Sequence, residues 1–359
     1  MRPPALDIAS VRARGRRVAV EDCLLADRPF WLLRRLRKAG SGAQPAVLVV
    51  APLSGHFGWL MRDTVLGLLA RHDVFLLEWK DAAEVPRDAG AFALDENVAA
   101  VIEATRLLGP DVALLGVSQA PTALLAAAAL LAADRDPARP RALVLMGGFI
   151  DPRVSPTQIG RAAAGLPPGW FERVLATPVP PGRGGAGRRV YLGALHGQAL
   201  ARYLARQLAT GGELARKSLD DDGADPVGHP FLRLYSTLMD LPAEFAEDNV
   251  RTVFREARLA RGRMVWRSRP VDPAAIEDIA VMTVEGGCDD SSGPGQTRAA
   301  HALCPRLAPG RRAHVDVPAA GHFGLFHGEP WHSQVLPRVE AFVAAAVGGP
   351  RRTEIRTPT

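Results

Sequence analysis

Cysteine is scarce in this chain, and its few cysteines exclude a familiar class of small folds. Cys23, Cys288 and Cys304 are the only ones among 359 residues. They are too few and too irregularly spaced for a disulfide framework or a zinc knuckle. The composition therefore favours a reducing compartment, and we predict no metal site.

Long hydrophobic runs are also lacking. The longest apolar run, Ala123 to Ala133, falls short of the roughly 20 residues that a membrane-spanning helix needs. The first residues, Met1 to Asp7, contain no apolar signal core. We expect no transmembrane segment and a cytoplasmic location.

Clustered basic charge is a third missing feature. The net charge of +6 comes from 44 Lys and Arg against 38 Asp and Glu, but the basic residues are scattered and have no interleaved aromatics. This pattern predicts no nucleic-acid partner. A hydrophobic content of 47% with 23% charged residues is enough to bury a large core.

What the sequence does contain is an alternation of apolar strands and helices. The predicted strands and helices of the first half are Ala46–Ala51, Met61–Arg71, Val74–Trp79, Leu94–Leu108, Val112–Val117, Pro121–Ala133 and Ala142–Met146. Strand character returns at Ile279–Glu285 and His314–Val317, with helices over residues 296–303 and 335–347. The alternation predicts an α/β fold with a right-handed, doubly wound parallel sheet.

The same pattern divides the chain into five segments. Residues 1–40 are predicted as an irregular N-terminal extension with one short amphipathic segment, Trp31 to Lys38. Residues 41–152 and 271–348 are the two parts of the core, and residues 153–270 are a helical, aromatic cap inserted between them. Residues 349–359 are predicted to be a disordered tail.

Ser118 lies where a predicted strand turns directly into a predicted helix. In a very tight turn of this kind the serine side chain projects from the top of the sheet, and only small residues fit two positions away. Gly116 and Ala120 are both small. The stretch from Gly116 to Pro121 alone supports two interpretations, in which Ser118 is either a nucleophile or a residue that caps the helix.

A serine nucleophile needs a histidine base and a carboxylate that orients it, and both follow later strands. Asp289 and Asp290 come after the strand that ends at Glu285, and His322 stands in a glycine-flanked loop after the strand that ends at Val317. The order Ser, Asp, His is that of α/β-hydrolases. We favour Asp289 as the acid and keep Asp290 as the alternative.

An acyl-transfer site also needs amide donors for the oxyanion. The predicted donors are the backbone amides of Gln119 and of Ser54 and Gly55, in the loop after the first strand of the core. His56 in that loop is an alternative base, but it precedes the nucleophile in the chain.

Two further motifs are discounted, and no cofactor is predicted. The string from Gly182 to Gly187 fits GxGxxG, yet it follows prolines rather than a strand. The acidic stretch from Asp220 to Asp225 lacks the spacing and the terminal glutamate of an EF-hand.

Several longer phrases resemble the intracellular polyhydroxyalkanoate (poly-3-hydroxybutyrate) depolymerases of bacteria. They extend over most of the chain between Pro45 and Val347. The phrases are Val50-Ala-Pro-Leu-Ser-Gly-His-Phe57, His72-Asp-Val-Phe-Leu-Leu-Glu-Trp79, Leu145-Met-Gly-Gly148, Met239-Asp-Leu-Pro-Ala-Glu-Phe245, Arg269-Pro-Val-Asp-Pro-Ala-Ala275, Thr283-Val-Glu-Gly286, Asp289-Asp-Ser-Ser-Gly-Pro-Gly-Gln-Thr-Arg-Ala-Ala-His301 and Gly321-His-Phe-Gly324.

The resemblance implies an α/β-hydrolase fold with Ser118 as nucleophile, Asp289 or Asp290 as acid and His322 as base. The family pattern commonly has cysteine where this chain has Ser118, and a serine is also competent with a histidine base. The implied substrate is a polyhydroxyalkanoate polymer or its oligomers. Two interpretations stay open for the aromatic, apolar cap, which either binds a polyester segment and adsorbs to a storage granule or only covers the sheet.

From the residues and the resemblance together we predict an intracellular serine esterase. The alternatives are a general carboxylesterase, an acyltransferase related to polyester synthases, and a catalytically silent protein that binds granules.

Overall fold

A nine-stranded sheet runs through the centre of the structure. The computed structural model describes residues 4–347. The strands are β1 (Ser10–Ala13), β2 (Arg16–Asp27), β3 (Trp31–Lys38), β4 (Ala46–Val50), β5 (Asp73–Trp79), β6 (Val112–Val117), β7 (Ala142–Met146), β8 (Ala176–Pro178), β9 (Arg189–Tyr191), β10 (Leu241–Pro242), β11 (Val265–Trp266), β12 (Arg269–Pro270), β13 (Ala280–Gly286) and β14 (Arg312–Val317). The order across the central sheet is β1-β2-β3-β5-β4-β6-β7-β13-β14.

The strands from β5 to β14 in this order are parallel and form the core of the sheet. Residues of β6, β7 and β13 are buried along their whole length, as expected for parallel strands that are covered on both faces. Val50 lies opposite Gly116, and Val117 lies opposite Met146. The carboxyl ends of β4, β6 and β7 therefore meet at one edge, where ligands bind in sheets of this type.

Two layers of helices cover the sheet. The helices are α1 (Arg62–Leu69), α2 (Leu94–Leu108), α3 (Ala120–Ala133), α4 (Gln158–Gly165), α5 (Gly193–Thr210), α6 (Glu213–Leu219), α7 (Phe231–Ser236), α8 (Ala243–Asn249), α9 (Ala300–Leu303), α10 (Gly328–Pro330) and α11 (Leu336–Val347). Helix α2 packs against α3 and α1 against α11, while α3 and α11 both contact β6 and β7. The predicted α/β-hydrolase architecture is confirmed.

The prediction that the first forty residues are irregular is wrong for residues 10–38. These residues form the antiparallel strands β1, β2 and β3, and β3 extends the central sheet by pairing with β5. Trp31 lies opposite Trp79, far along the chain. Because the burial of β3 comes from such distant partners, its own sequence shows only a short amphipathic segment.

The chain leaves the sheet after β7 and returns at β13, which pairs directly with β7. Residues 153–270, the predicted cap, lie on this excursion and are called the insertion below. The insertion contains α4 to α8, in keeping with its helical character, and also five strands that were not predicted, β8 to β12. Those strands have two or three residues each, which is too short for an alternating pattern to show.

The predicted helix over residues 296–303 is reduced to α9. The Glu285 carboxylate accepts hydrogen bonds from the amides of Gly295, Thr297 and Arg298. It holds these residues in a turn where the helix was expected to begin.

The predicted disordered tail, residues 349–359, lies outside the described residues. Between residues 4 and 347, no helix combines the length and the apolar character that crossing a bilayer requires.

Candidate active site

Ser118 occupies a strained turn between β6 and α3. Its backbone φ is 62°, in the left-handed region that residues other than glycine rarely adopt. The space between the residues two positions before and after it is narrow. A Cβ at Gly116 would lie 3.1 Å from the Ala120 Cβ and 2.8 Å from a Leu124 methyl. The turn therefore requires small residues at both positions and presents Ser118 at the carboxyl edge of the sheet.

The three residues predicted as a triad are in contact. His322 Nε2 lies 3.0 Å from Ser118 Oγ, and His322 Nδ1 lies 2.8 Å from Asp289 Oδ2. The Asp289 side chain is fully buried and His322 nearly so. The arrangement allows His322 to accept the Ser118 proton at Nε2 while Nδ1 donates to Asp289.

Asp289 is held rigidly by the loop that follows β13. Its Oδ1 accepts hydrogen bonds of 2.8 Å from the amides of both Ser291 and Ser292, so Oδ2 is left for His322. Gly147, at the end of β7, has a φ of 53° and no side chain facing this pair. A Cβ there would lie 3.3 Å from both Asp289 Oδ2 and His322 Cε1, so the close approach requires glycine.

The charge of Asp289 tunes the basicity of His322. Burial lowers the pKa of His322, but the charge and the hydrogen bond of Asp289 outweigh this, with further contributions from Glu213 and Asp290, and the net pKa is raised. A base with a raised pKa takes up a proton more readily.

Asp290, the alternative acid, faces the insertion rather than His322. Its carboxylate accepts hydrogen bonds from Tyr203 Oη at 2.5 Å, from Gln207 Nε2 at 2.9 Å and from Arg206 at 3.1 Å, all on α5. Burial and the charge of Asp290 raise the pKa of Tyr203, so the phenol stays protonated as a donor. Asp290 joins the core to the insertion.

The predicted oxyanion donors lie in two neighbouring turns. The loop after β4 starts beside β6, since Val50 is opposite Gly116. Within residues 4–347, the backbone N–H groups of Ser54, Gly55 and Gln119 donate no hydrogen bond. Gly55 has a φ of 88°, and His196 lies 3.2 Å from the position of a Cβ. The three amides are unpaired among the described residues, and their role as oxyanion donors stays a prediction.

His56, the alternative base, makes different contacts. Its Nδ1 lies 3.1 Å from Ser54 Oγ, and its ring stacks on Tyr235 with centroids 4.9 Å apart. Burial and the neighbouring His196 lower the pKa of His56 to about 3. The ring is neutral and packs against Tyr235 and His196 of the insertion, whereas Ser118 has His322 as its partner.

One group of metal-ligand side chains lies at the edge of the insertion, at Asp221, Asp222 and His327. The buried Lys217 ammonium lies 2.6 Å from Asp222 Oδ1 and 3.1 Å from His327 Nδ1. This ammonium already supplies the positive charge that the acidic residues need, so the group is an ion-pair network.

A second such group, at Glu285, His314 and Asp316, has other partners. The Glu285 carboxylate is occupied by the three amides described above. His314 bonds Thr283 Oγ at 2.8 Å and Asp316 Oδ1 at 2.9 Å. These contacts brace β13 and β14 from within the sheet.

Gly148 gives a stability prediction for this region. A Cβ added there would collide with the Pro121 ring, in the first turn of α3. Gly148→Ala is expected to lower the free energy of unfolding by about 1–3 kcal/mol, because the packed core cannot accommodate the extra carbon. Denaturant unfolding checks this, with Gly310→Ala as the control, since a Cβ at Gly310 meets nothing within 4 Å. Equal stability of the two variants would contradict the prediction.

Glu213 is a site residue that sequence reasoning missed. Its carboxylate accepts hydrogen bonds from the amides of Phe323 at 2.9 Å and Gly324 at 2.7 Å, directly after His322. Glu213 lies in the insertion, far from any strand end. No local motif marks it, because its role depends on how the insertion folds over the core.

Comparison with known proteins supports the fold and the class of protein. The family model described as PHB de-polymerase C-terminus matches residues 147–347. This range includes the insertion, Asp289 and His322, and Ser118 precedes it. No curated protein matches the chain significantly in sequence.

Solved structures resemble the chain at low sequence identity. A hypothetical protein from Pseudomonas aeruginosa has a TM-score of 0.52 and 12% identity, with 96% of this chain and 99% of that chain covered. A putative aryl esterase from Burkholderia cenocepacia has a TM-score of 0.50 and 13% identity, with coverage of 92% and 100%. An alpha/beta hydrolase fold protein from Nakamurella multipartita has a TM-score of 0.49 and 17% identity, with coverage of 92% and 100%. At these identities the two structures with TM-scores of 0.52 and 0.50 show a similarity of fold alone.

Proposed function

The chain belongs to the family of the PHB de-polymerase C-terminus, a family of ester hydrolases, and on this premise we propose that it is a serine esterase of poly-3-hydroxybutyrate or its oligomers. The polymer is a chain of 3-hydroxyacyl units joined by ester bonds. The observation that carries the proposal is the contact of Ser118 with His322 at 3.0 Å and of His322 with Asp289 at 2.8 Å.

In the first half of the proposed reaction, Ser118 attacks an ester carbonyl. His322 Nε2 takes the hydroxyl proton as the Oγ–carbon bond forms, and Asp289 stabilises the resulting imidazolium. The amides of Gln119, Ser54 and Gly55 bind the oxygen that becomes negative. The ester C–O bond then breaks, and His322 gives its proton to the departing oxygen, which becomes the hydroxyl end of the shortened polymer.

The second half removes the acyl group from Ser118. A water molecule loses a proton to His322 and attacks the acyl carbonyl, and the Oγ–carbon bond breaks as Ser118 regains a proton. The product is a 3-hydroxyalkanoate or a short oligomer. The cycle uses only these side chains and amides, and no step calls for a cofactor.

The substrate proposal is tested with three kinds of substrate offered in parallel. Purified protein is given amorphous polymer granules, short-chain aryl esters and a hydroxyacyl-CoA, and products are measured by chromatography. The proposal predicts release of 3-hydroxyalkanoate from granules. Hydrolysis of aryl esters with inert polymer would indicate a general carboxylesterase, and acyl transfer from the CoA ester would indicate a synthase-like enzyme.

Exposed apolar side chains on the insertion suggest how a solid polymer is reached. Leu219 and Val227 are 86% and 94% exposed. Other exposed apolar residues of the insertion are Val154, Ile159, Val174, Leu208 and Val265. We include in the proposal that these side chains adsorb to polymer granules, because removing apolar area from water lowers the free energy.

Adsorption is tested by replacing the two most exposed of these side chains together. Leu219→Asp with Val227→Asp is expected to weaken co-sedimentation with granules about tenfold, the loss of roughly one partly buried apolar side chain. Turnover of short-chain aryl esters should stay unchanged. Leu107→Asp is the control, since Leu107 is 53% exposed on α2, outside the insertion. Undiminished sedimentation of the double variant would refute adsorption through this surface.

A further inference from the structure

Two loops of the core carry the acid and the base, and a helical hairpin of the insertion contacts both. The hairpin consists of α5 and α6. Helix α6 contacts the His322 loop through Glu213, and α5 contacts the Asp289 loop through Asp290.

The His322 loop is built to receive the Glu213 carboxylate. Oε2 accepts the Phe323 amide and Oε1 accepts the Gly324 amide. A Cβ at Gly321 would collide with Oε2, and a Cβ at Gly324 would lie 2.7 Å from Oε1. Both glycines that flank His322 therefore leave space for this carboxylate. Two amides bound to one carboxylate fix the backbone at the residues that follow the base.

Gln207 connects the helix that carries Glu213 to the carboxylate of Asp290. Its Nε2 donates to Asp290 Oδ2 at 2.9 Å, and its Oε1 accepts from the Leu214 amide at 3.3 Å. Gln207 is buried on α5, and Leu214 follows Glu213 on α6. Gln207 therefore links α6, which contacts the His322 loop, to the loop of Asp289.

We propose that Glu213 is a positioning residue, which fixes the His322 loop and makes the catalytic base depend on a folded insertion. The proposal rests on the function proposed for Ser118, His322 and Asp289. Glu213 does not touch the reacting atoms. It acts through the two amides and through its negative charge beside the imidazole.

The charged groups around Glu213 and His322 determine how the loss of Glu213 changes the pKa of His322. Lys217 and His322 are the charged or titratable groups that face Glu213, and burial raises the pKa of Glu213 itself. Asp289, Glu213 and Asp290 are the acids that raise the pKa of His322 against the effect of burial. Removing the Glu213 charge therefore lowers the pKa of His322 and leaves Asp289 and Asp290 in place.

Glu213→Gln is the test, because it keeps the shape of the side chain and removes the charge and one of the two acceptors. We expect kcat on a short-chain aryl ester to fall about 10–100-fold, the cost of a misplaced base, and KM to change little. The acidic limb of the kcat/KM profile should move to lower pH, since His322 must be neutral to act as a base. Glu213→Asp keeps the charge and should restore the position of that limb.

Asp220→Asn is the matched control, since Asp220 is an exposed carboxylate at the end of the same helix. It should match the wild type in kcat and in pH profile. The pH at which the acidic limb of the kcat/KM profile falls does not depend on the folded fraction. Partial unfolding of Glu213→Gln therefore cannot imitate a shift of this limb to lower pH. A fall in kcat with an unmoved limb, or no change in either quantity, would overturn the proposal.

Failure of the proposed function gives a different result. A wild-type protein that hydrolyses no ester would refute that function. An NMR titration of the His322 ring in wild type and Glu213→Gln then decides the present proposal. A lower pKa in the variant supports it, and an unchanged pKa overturns it.

Discussion

Ser118→Ala is expected to reduce kcat for ester hydrolysis by about 10⁴-fold or more. The Ser118 hydroxyl is the group in contact with His322, and alanine leaves the base with no nucleophile to activate. The loss should be equal on aryl esters and on polymer granules if one site serves both. Initial rates on the two substrates measure it.

The matched control is Ser236→Ala, an exposed serine at the end of α7. It should keep wild-type rates on both substrates. Polymer breakdown that survives Ser118→Ala, in protein free of contaminating esterase, would contradict the role of Ser118 and favour the catalytically silent alternative.

The second large effect is expected at Asp289, and its neighbour provides the comparison. Asp289→Asn should lower kcat by about 10⁴-fold, because an amide at this position favours the wrong tautomer of His322. The shape of the side chain is preserved, so the fold should remain. Asp290→Asn should lower kcat by no more than about tenfold, since its carboxylate contacts α5 and not His322.

Aryl ester kinetics on the two variants, together with thermal unfolding, separate the two aspartates. Asp290→Asn is expected to lower the melting temperature, because it weakens the contact between the core and the insertion. If Asp290→Asn were the inactive variant and Asp289→Asn the active one, the assignment of the acid would be reversed.

Local sequence patterns were sufficient for most of the core. The helix Leu94–Leu108 and the strands Val112–Val117 and Ala142–Met146 have the predicted bounds. Each combines an apolar pattern of the right period with a clear boundary residue. Because parallel strands align their carboxyl ends, the positions of Ser118, Asp289 and His322 after strands were also enough to predict that they meet.

Features that depend on distant partners could not be predicted in this way. Strand β3 is buried against β5, and the sequence around Trp31 does not indicate this distant partner. The choice between Asp289 and Asp290 was only a preference, since both follow the same strand. The two carboxylates point in different directions because they have different partners. Asp289 accepts the amides of Ser291 and Ser292, and Asp290 accepts hydrogen bonds from α5.

Glu213 illustrates the same limit within the site. The sequence around Glu213 is that of an ordinary amphipathic helix. The proposed role of Glu213 depends on two glycines much later in the chain, and Gly324 lies 111 residues after it. The signal that could have drawn attention to it is the pair of glycines at 321 and 324. Both flank His322, and glycines beside a predicted base indicate a close approach by another group.

Trapping of the acyl-enzyme tests the central claim most directly. Protein is mixed briefly with a 3-hydroxybutyrate oligomer, quenched in acid and digested, and the peptides are mapped by mass spectrometry. We predict a 3-hydroxyacyl adduct on the peptide that contains Ser118, and none on that peptide in Ser118→Ala. Release of 3-hydroxybutyrate without an adduct at Ser118, or with an adduct on another residue, would contradict the account.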